Sequence, residues 1–285
     1  MAANYLIAGI CLTVEGDREV ALLDKLLGFE KFVSLSPNTD LRIVFGADPC
    51  LPDVEPFYSF DFEEAGVVCA LSKFGNRYAF SMHDGKQKVF RMIQSSHDSF
   101  LASSLDNLSL LRFALWMAFS LFALPLGVSP VHASTVVYHD KAVLFLGESG
   151  TGKSTHARLW ISNFKGAFLL NDDSPIVSSR NGVPLVYGSP WSGKTHCYHN
   201  ASFPLAAVVR LRQAPCNHIE PMDTLHSFAA LQPSLPPALS RDDFYMDHIV
   251  ELVSLVVSSV PVFMLSCLPD VAAANLCFNN VFRQT

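Results

Sequence analysis

Residues 147 to 155 read Gly-Glu-Ser-Gly-Thr-Gly-Lys-Ser-Thr, and their types and spacing suit one kind of chemistry, the holding of a polyphosphate. The run matches the pattern G-x-x-x-x-G-K-[ST]. Gly147, Gly150 and Gly152 let the backbone curl so that successive N–H groups point at phosphate oxygens. Lys153 adds a point charge at the β- and γ-phosphates, and the Ser154 hydroxyl is placed to ligate Mg²⁺. The expected nucleotide-binding segment is therefore Gly147, Glu148, Ser149, Gly150, Thr151, Gly152, Lys153, Ser154 and Thr155. The ligands implied are a nucleoside triphosphate, read as ATP, and Mg²⁺.

The flanks agree with this reading. Residues 142–146 are an apolar run fit for a buried strand,. After the loop, Ala157, Trp160, Ile161 and Phe164 fall on one stripe of a helix,. Lys165 falls in its last turn and Gly166 at its stop, so the phosphates would lie on a helix N-terminus. The pattern occurs a second time at Gly188-Ser-Pro-Trp-Ser-Gly193-Lys194-Thr195. That match is refused, because Pro190 removes an N–H from the cradle and no helical period follows. It is still a loop that could lend Lys194 to the nucleotide, with Trp191 as a buried anchor.

In-line phosphoryl transfer also needs a residue that orients or deprotonates the attacking hydroxyl. A strand over 167–170 leads into Asn171-Asp172-Asp173, and adjacent carboxylates at a strand's end can divide metal and proton duty between them. The structural alternative is an Asx turn running on to Pro175. His196, Cys197 and His199, with Cys216 and His218 downstream, match no zinc-ligand spacing and are read as incidental,. Arg210 and Arg212 alternate with apolar neighbours along a strand, on a solvated face or against a phosphate or substrate.

The elements that must position these groups follow from pattern. Strands are expected over 5–14 and 41–45 with a helix around 20–27. A meander over 66–71, 77–82 and 88–93 follows, turning at Gly75-Asn76 and Asp84-Gly85,. A helix covers 107–124. The short turn at His139-Asp140-Lys141, between 134–138 and 142–146, forces an antiparallel pair, whereas parallel nucleotide-binding folds need a long crossover there. A hairpin around Asn181-Gly182, a strand over 205–211, a Pro-rich loop over 232–237 and a strand over 261–267 complete the sheet. Ser240 with Asp243 reads as a capping box for a helix to about 258, and Pro269 as the first residue of the closing helix. The fold class expected is mixed α/β (α+β), with a mixed rather than a doubly wound parallel sheet. The domains expected are a strand-rich N-terminal domain (1–106), a connecting buried helix and linker (107–129) and a nucleotide-binding catalytic domain (130–285).

Hydrophobic residues make up 50% of the 285 and charged ones only 16%, against about a quarter in an average protein. This predicts a large core and a buried subunit contact, hence a homo-oligomer. The net charge of −6 argues against nucleic acid or an anionic membrane as partner. Seven cysteines without paired spacing suggest reduced thiols in the cytoplasm,. The N-terminus shows no basic region ahead of its apolar stretch, so no signal peptide is expected. The apolar run over 113–124 is read as too short to span a bilayer.

Taken together, these residues resemble the catalytic domain of the HPr kinase/phosphorylase family, which has a phosphoenolpyruvate-carboxykinase-like phosphate-loop fold. The resemblance covers roughly residues 130 to 215. It rests on His132 in Val-His-Ala-Ser, on Gly-Glu-Ser-Gly-Thr-Gly-Lys-Ser, close to the family's Gly-Asp-Ser-Gly-x-Gly-Lys-Ser, and on the pair Asp172-Asp173. It implies Lys153 on the phosphates, Ser154 and Asp172 on Mg²⁺, Asp173 as proton acceptor and His132 stabilising transition-state charge. The implied activity is an ATP- and Mg²⁺-dependent kinase acting on a hydroxyl, serine of a protein or peptide, with the N-terminal domain recognising the acceptor. The alternatives are a nucleotide-binding regulatory module with little or no transfer, and a small-molecule kinase or carboxykinase-like enzyme. Two departures matter. The downstream Glu-Ile-Arg-Gly signature is missing, which counts against a reverse, dephosphorylating activity. The first hundred residues do not look like the family's N-terminal domain, which counts against HPr itself as acceptor.

Overall fold

Ala8 and Gly9 both take positive φ, 49° and 74°, the backbone of a tight hairpin turn. They fold β1 (Ala2–Ile7) onto β2 (Ile10–Glu15), with Ile7 opposite Ile10. The single strand expected over 5–14 is thus a hairpin. The computed structural model describes residues 1–282 apart from Pro52, Lys86 and Lys194, with Glu64 described by its backbone alone. These residues form two units, Met1–Pro125 with Ala238–Met246, and Leu126–Pro237 with the residues from Asp247 onward.

The first unit is built on an eight-stranded sheet. After α1 (Asp17–Leu23) come β3 (Leu41–Phe45), β4 (Tyr58–Phe62), β5 (Val67–Phe74), β6 (Arg77–Asp84), β7 (Gln87–Ser96) and β8 (Ser99–Ala102). Their spatial order is β1-β2-β3-β8-β7-β6-β5-β4. The pairs flanking β3 are parallel and the others antiparallel. α2 (Leu108–Ala123) starts at Asn107, whose Oδ1 accepts from the N–H groups of Ser109 (2.9 Å) and Leu110 (3.1 Å), a side-chain N-cap,. Phe113 of α2 stacks on Phe62 at 4.5 Å and meets Phe60 and Phe80 edge-on. That packing places α2 in the first unit, so the boundary falls at Pro125 instead of 106. With the turn that follows it, the helix (Leu108–Leu126) is 19 residues, long and apolar enough by length and composition to cross a membrane. The apolar run is therefore longer than the sequence suggested. Of that stretch, 61% is buried within the protein.

The segment 238–246 is tied to the first unit by Tyr245, whose hydroxyl donates to the Leu121 carbonyl at 2.9 Å, and by one carboxylate. Asp242 accepts from Lys73 Nζ at 2.6 Å and from the Tyr78 hydroxyl at 2.8 Å. It also takes the cap position that Ser240 was expected to fill, its Oδ1 lying 3.4 Å from the Tyr245 N–H. Ser240 sits instead in a short turn of 3-10 helix (Leu239–Arg241). Burial alone raises the pKa of the Asp242 carboxyl, but the hydrogen bonds from Lys73 and Tyr78 and the charge of Lys73 outweigh it and hold the group below the usual carboxylate range,. A depressed pKa gives stability that is present above the unfolded value, about 3.9, and lost as pH falls through the folded one. Asp242→Ala is expected to cost about 2 to 3 kcal/mol at neutral pH, toward the low side for a buried pair because Lys73 reaches solvent. Thermal melts between neutral pH and pH 3 check this. The variant should melt lower at pH 7 and lose less on acidification than the wild type.

The second unit begins with β9 (Val128–Pro130), β10 (Ala133–Tyr138) and β11 (Lys141–Leu146). β10 and β11 are antiparallel as expected, joined by His139 and Asp140 at φ 46° and 56°. The chain continues through α3 (Lys153–Asn163), β12 (Phe168–Asp173), β13 (Ile176–Ser178), β14 (Leu185–Tyr187), β15 (Ser202–Gln213), β16 (His218–Pro221), α4 (Thr224–Leu231), α5 (Asp243–Ser259), β17 (Val262–Cys267) and α6 (Val271–Phe282). α5 starts in the first unit and runs on into the second. The sheet is mixed. β15 runs parallel to β11 on one edge and to β17 on the other, while its first residues pair antiparallel with β14. β12 closes the far side, antiparallel to β10. α6 is capped by Asp270, which accepts from the Ala273 N–H at 2.8 Å, so Pro269 precedes the cap and is not the first helical residue.

α3 packs by Ala157 and Trp160, both fully buried, with Trp160 against Phe145 and Phe278. His156 completes that face. Burial pushes its pKa down to about 4, so the neutral ring accepts the Trp160 indole N–H at 3.2 Å. Ile161, expected on this stripe, is exposed, and Lys165 falls beyond the helix end because Phe164 takes the C-cap.

Candidate active site

β11 delivers the chain to Gly147 and α3 begins at Lys153, so the intervening loop crosses the head of a helix. Gly147 lies at φ 153°, and a Cβ there would stand 3.1 Å from the Thr151 side chain. Gly150 and Gly152 also take positive φ, 79° and 107°. These are conformations that a side chain disfavours. The curl is held from within by Thr151, whose N–H and hydroxyl both donate to the Glu148 carbonyl (3.2 and 2.7 Å). From outside, Gln213 Nε2 donates to the Gly150 carbonyl at 3.2 Å. Glu148, Ser149 and Gly150 are exposed, whereas Ser154 and Thr155 are half-buried at the start of α3.

Lys153 is buried, at 8% exposure. Its ammonium donates to the carbonyls of Gly147 (2.8 Å) and Glu148 (3.2 Å) and to Nε2 of His132 (2.9 Å). Burial lowers its pKa, against the pull of Asp173 and Asp172, which raise it. Since an ammonium has no acceptor, Nε2 of His132 must be the unprotonated nitrogen and Nδ1 carries the hydrogen. That Nδ1 lies 3.2 Å from Oδ1 of Asp173. A continuous path, Lys153 to His132 to Asp173, runs along the mouth of the loop.

The acidic pair divides in environment. Asp172 is 5% exposed, and its Oδ1 accepts from Ser134 Oγ and, at 3.0 Å, from Ser154 Oγ. Asp173 is half-exposed, with 48% of its side chain accessible, and so is His132 at 47%. The buried carboxylate therefore faces the loop serine and the open one faces solvent. The pairing of β10 with β12 produces this division, since it sets Ser134 opposite Asp172 and Ala133 opposite Asp173.

Ser154 and Asp172 form an all-oxygen pair beside the glycine loop, the donor chemistry that Mg²⁺ takes when phosphates and water supply its other ligands. Among the described residues no three His, Cys, Asp or Glu side chains gather as a metal cage, and a substrate-borne Mg²⁺ does not need one.

The second loop returns to the acidic pair. Gly193 N–H and Ser192 Oγ donate to the Asp172 carbonyl at 2.8 and 3.0 Å, and Ser192 bridges to Asp173. Gly193 packs so closely that a Cβ would come 3.1 Å from Asp173 Cβ. Trp191 is buried at 3% exposure. Asn171 ties the loop down. Its Nδ2 reaches the Trp191 carbonyl (3.2 Å) and the Ser189 carbonyl (3.3 Å), and its Oδ1 accepts the Ser174 N–H (3.0 Å). No helix follows this second match. Lys194, the residue expected to reach the phosphates, lies outside the described residues.

With the geometry in hand, comparison adds little. No protein-family model matches this sequence, and no curated protein matches it. Among solved structures, the Hpr(Ser) kinase/phosphatase from Coxiella burnetii matches at 15% identity over 54% of this chain and 97% of that chain, with a TM-score of 0.31. The likeness is remote.

Sequence reasoning missed Ser134 and Asn171. The spelling Asn-Asp-Asp was read for its carboxylates, although Asn171 fixes the loop that backs them. Three of the scattered histidines and cysteines have partners of their own. Cys197 is buried with its thiol 3.3 Å from the Leu169 carbonyl, His196 Nδ1 is 3.4 Å from the Tyr198 hydroxyl, and His199 meets Phe168 edge-on. Arg210 and Arg212 stand on the opposite flank of the loop from His132, on β15.

Proposed function

We propose that this chain is an ATP- and Mg²⁺-dependent kinase that transfers a phosphoryl group to a hydroxyl, serine of a protein or peptide, on a phosphoenolpyruvate-carboxykinase-like phosphate-loop fold. The observation that carries the reading is the convergence of loop and acidic pair, with Ser154 Oγ 3.0 Å from Asp172 and the half-exposed Asp173 beside it. Lys153 and the loop N–H groups hold the triphosphate, and Ser154 with Asp172 would hold Mg²⁺. That ion neutralises phosphate charge when bound. Asp173 takes the proton of the acceptor hydroxyl as its oxygen bonds to the γ-phosphorus and the bond to the β-phosphate oxygen breaks, releasing ADP. His132 steers Asp173 through Nδ1 and adds charge stabilisation through its contact with Lys153. A module that only senses nucleotide would have no use for an open carboxylate at this position. All seven cysteines are free, which accords with a reducing compartment.

The test is transfer of label from γ-labelled ATP to a library of serine-bearing peptides, alongside calorimetric titration of ATP with and without Mg²⁺. Mg²⁺ should tighten ATP binding in the wild type. In Ser154→Ala most of that tightening should disappear, with Mg²⁺-free affinity little changed. If ATP binds neither with nor without the ion, the kinase reading fails.

A further inference from the structure

On the flank of the loop opposite His132, β15 runs beside β11 and then past it. Leu146 lies level with Arg210, and the strand goes on to Gln213. A cavity of about 420 Å³ opens there, between Glu148 and Gly150 of the loop, Arg210, Arg212 and Gln213 of β15, and Met264 of β17. Arg210 and Arg212 are two apart on a strand and so share a face.

Both guanidinium groups are held by neutral acceptors. Arg210 Nη1 donates to the Ala230 carbonyl in the last turn of α4 at 2.9 Å. Arg212 turns Nε and Nη2 onto the single hydroxyl of Ser266, at 3.1 and 2.7 Å. Among the described residues no carboxylate lies within ion-pair distance of either. Two like charges thus stand side by side at a cavity, with only the exposed Glu148 at its rim. Guanidinium forks match carboxylate and phosphate oxygens.

Ser149 and Thr151 of the loop line this cavity as well, but two of the loop's peptide groups on this side are already taken. The peptide joining Gly150 to Thr151 gives its carbonyl to Gln213, and the Thr151 N–H is engaged with Glu148. An anion between the arginines would be held by guanidinium groups and not by the peptide groups of Gly150 and Thr151.

We propose that Arg210 and Arg212 form a second oxyanion subsite, and that it takes a carboxylate or phosphate group carried by the acceptor near its reactive hydroxyl. The word acceptor rests on the kinase reading above; the subsite does not.

The experiment titrates inorganic phosphate, and separately glutarate, into full-length protein saturated with Mg²⁺ and a non-hydrolysable ATP analogue. One or both should bind the wild type. Arg210→Gln with Arg212→Gln should weaken that binding about tenfold or more, and change affinity for the ATP analogue by less than about threefold. A tighter fit for phosphate or for glutarate then names the group. Met264→Glu keeps both arginines and sets a carboxylate directly across from Arg210 in the β15–β17 register. It should block the added anion without unfolding the chain. Lys153→Ala should lose the nucleotide yet still bind the anion in a manner that Met264→Glu removes, which separates failure of the subsite from failure of the kinase reading. The proposal is overturned if neither anion binds the nucleotide-loaded wild type. It is equally overturned if the arginine variant loses the ATP analogue as severely as the anion, since the pair would then belong to the nucleotide.

Discussion

Lys153→Ala should weaken ATP binding about 10- to 150-fold and abolish turnover, leaving the fold in place. The range converts the about 1.5–3 kcal/mol that a charge-assisted hydrogen bond contributes. The loop backbone should survive, because Thr151 and Gln213 still hold its curl once the lysine's bonds to the Gly147 and Glu148 carbonyls are gone. The change also frees His132, whose Nε2 loses the ammonium that fixes its tautomer. Calorimetry for binding and circular dichroism for fold measure the two halves of the prediction. Wild-type affinity and activity in this variant would remove the basis for a nucleotide site.

Asp173→Asn should bind ATP nearly as well as the wild type and lose transfer by a factor of roughly 10²–10⁴, the usual scale for removing a general base. The structure adds a reason to choose this member of the pair. Asp172 is enclosed and already accepts from Ser134 and Ser154, whereas Asp173 opens to solvent beside His132. Asp172→Asn should accordingly act on Mg²⁺ dependence before it acts on the proton step. Single-turnover transfer measured across Mg²⁺ concentrations distinguishes them. The roles are reversed if Asp172→Asn is dead at every Mg²⁺ level while Asp173→Asn transfers normally.

The parts of this site that were legible in the sequence are those with local signatures. The glycine loop over 147–155 is one unbroken run, and the β10–β11 reversal could be read from turn length alone, although His139-Asp140 contains no glycine. What escaped depends on register between distant segments. Ser134 meets Asp172 only because β10 pairs with β12, 38 residues away in the chain. The sequence points to Ser240 and Asp243 for the start of α5, whereas the residue that caps it is Asp242, whose other partners, Lys73 and Tyr78, lie more than 160 residues earlier. The β1–β2 hairpin was hidden because apolar residues continue through the turn and Ala8 is not a turn-former. The arginines of β15 could be assigned to one face, but what that face overlooks follows from a parallel pairing with β11 that no short pattern announces.

Asp173 sits at φ 123°, in a region that non-glycine residues avoid and that commonly costs about 1–3 kcal/mol. Gly193 closes over its Cβ and keeps it there. For anyone evolving this protein in the laboratory, that residue is a trap. Replacing it with glycine relaxes the backbone and removes a side chain that is half in water, so Asp173→Gly should be more stable than the wild type by about 1 kcal/mol and melt higher. It should also be inert as a kinase. A selection scored on heat resistance alone would enrich it early, and would converge on a sturdier protein without the carboxylate proposed as its proton acceptor.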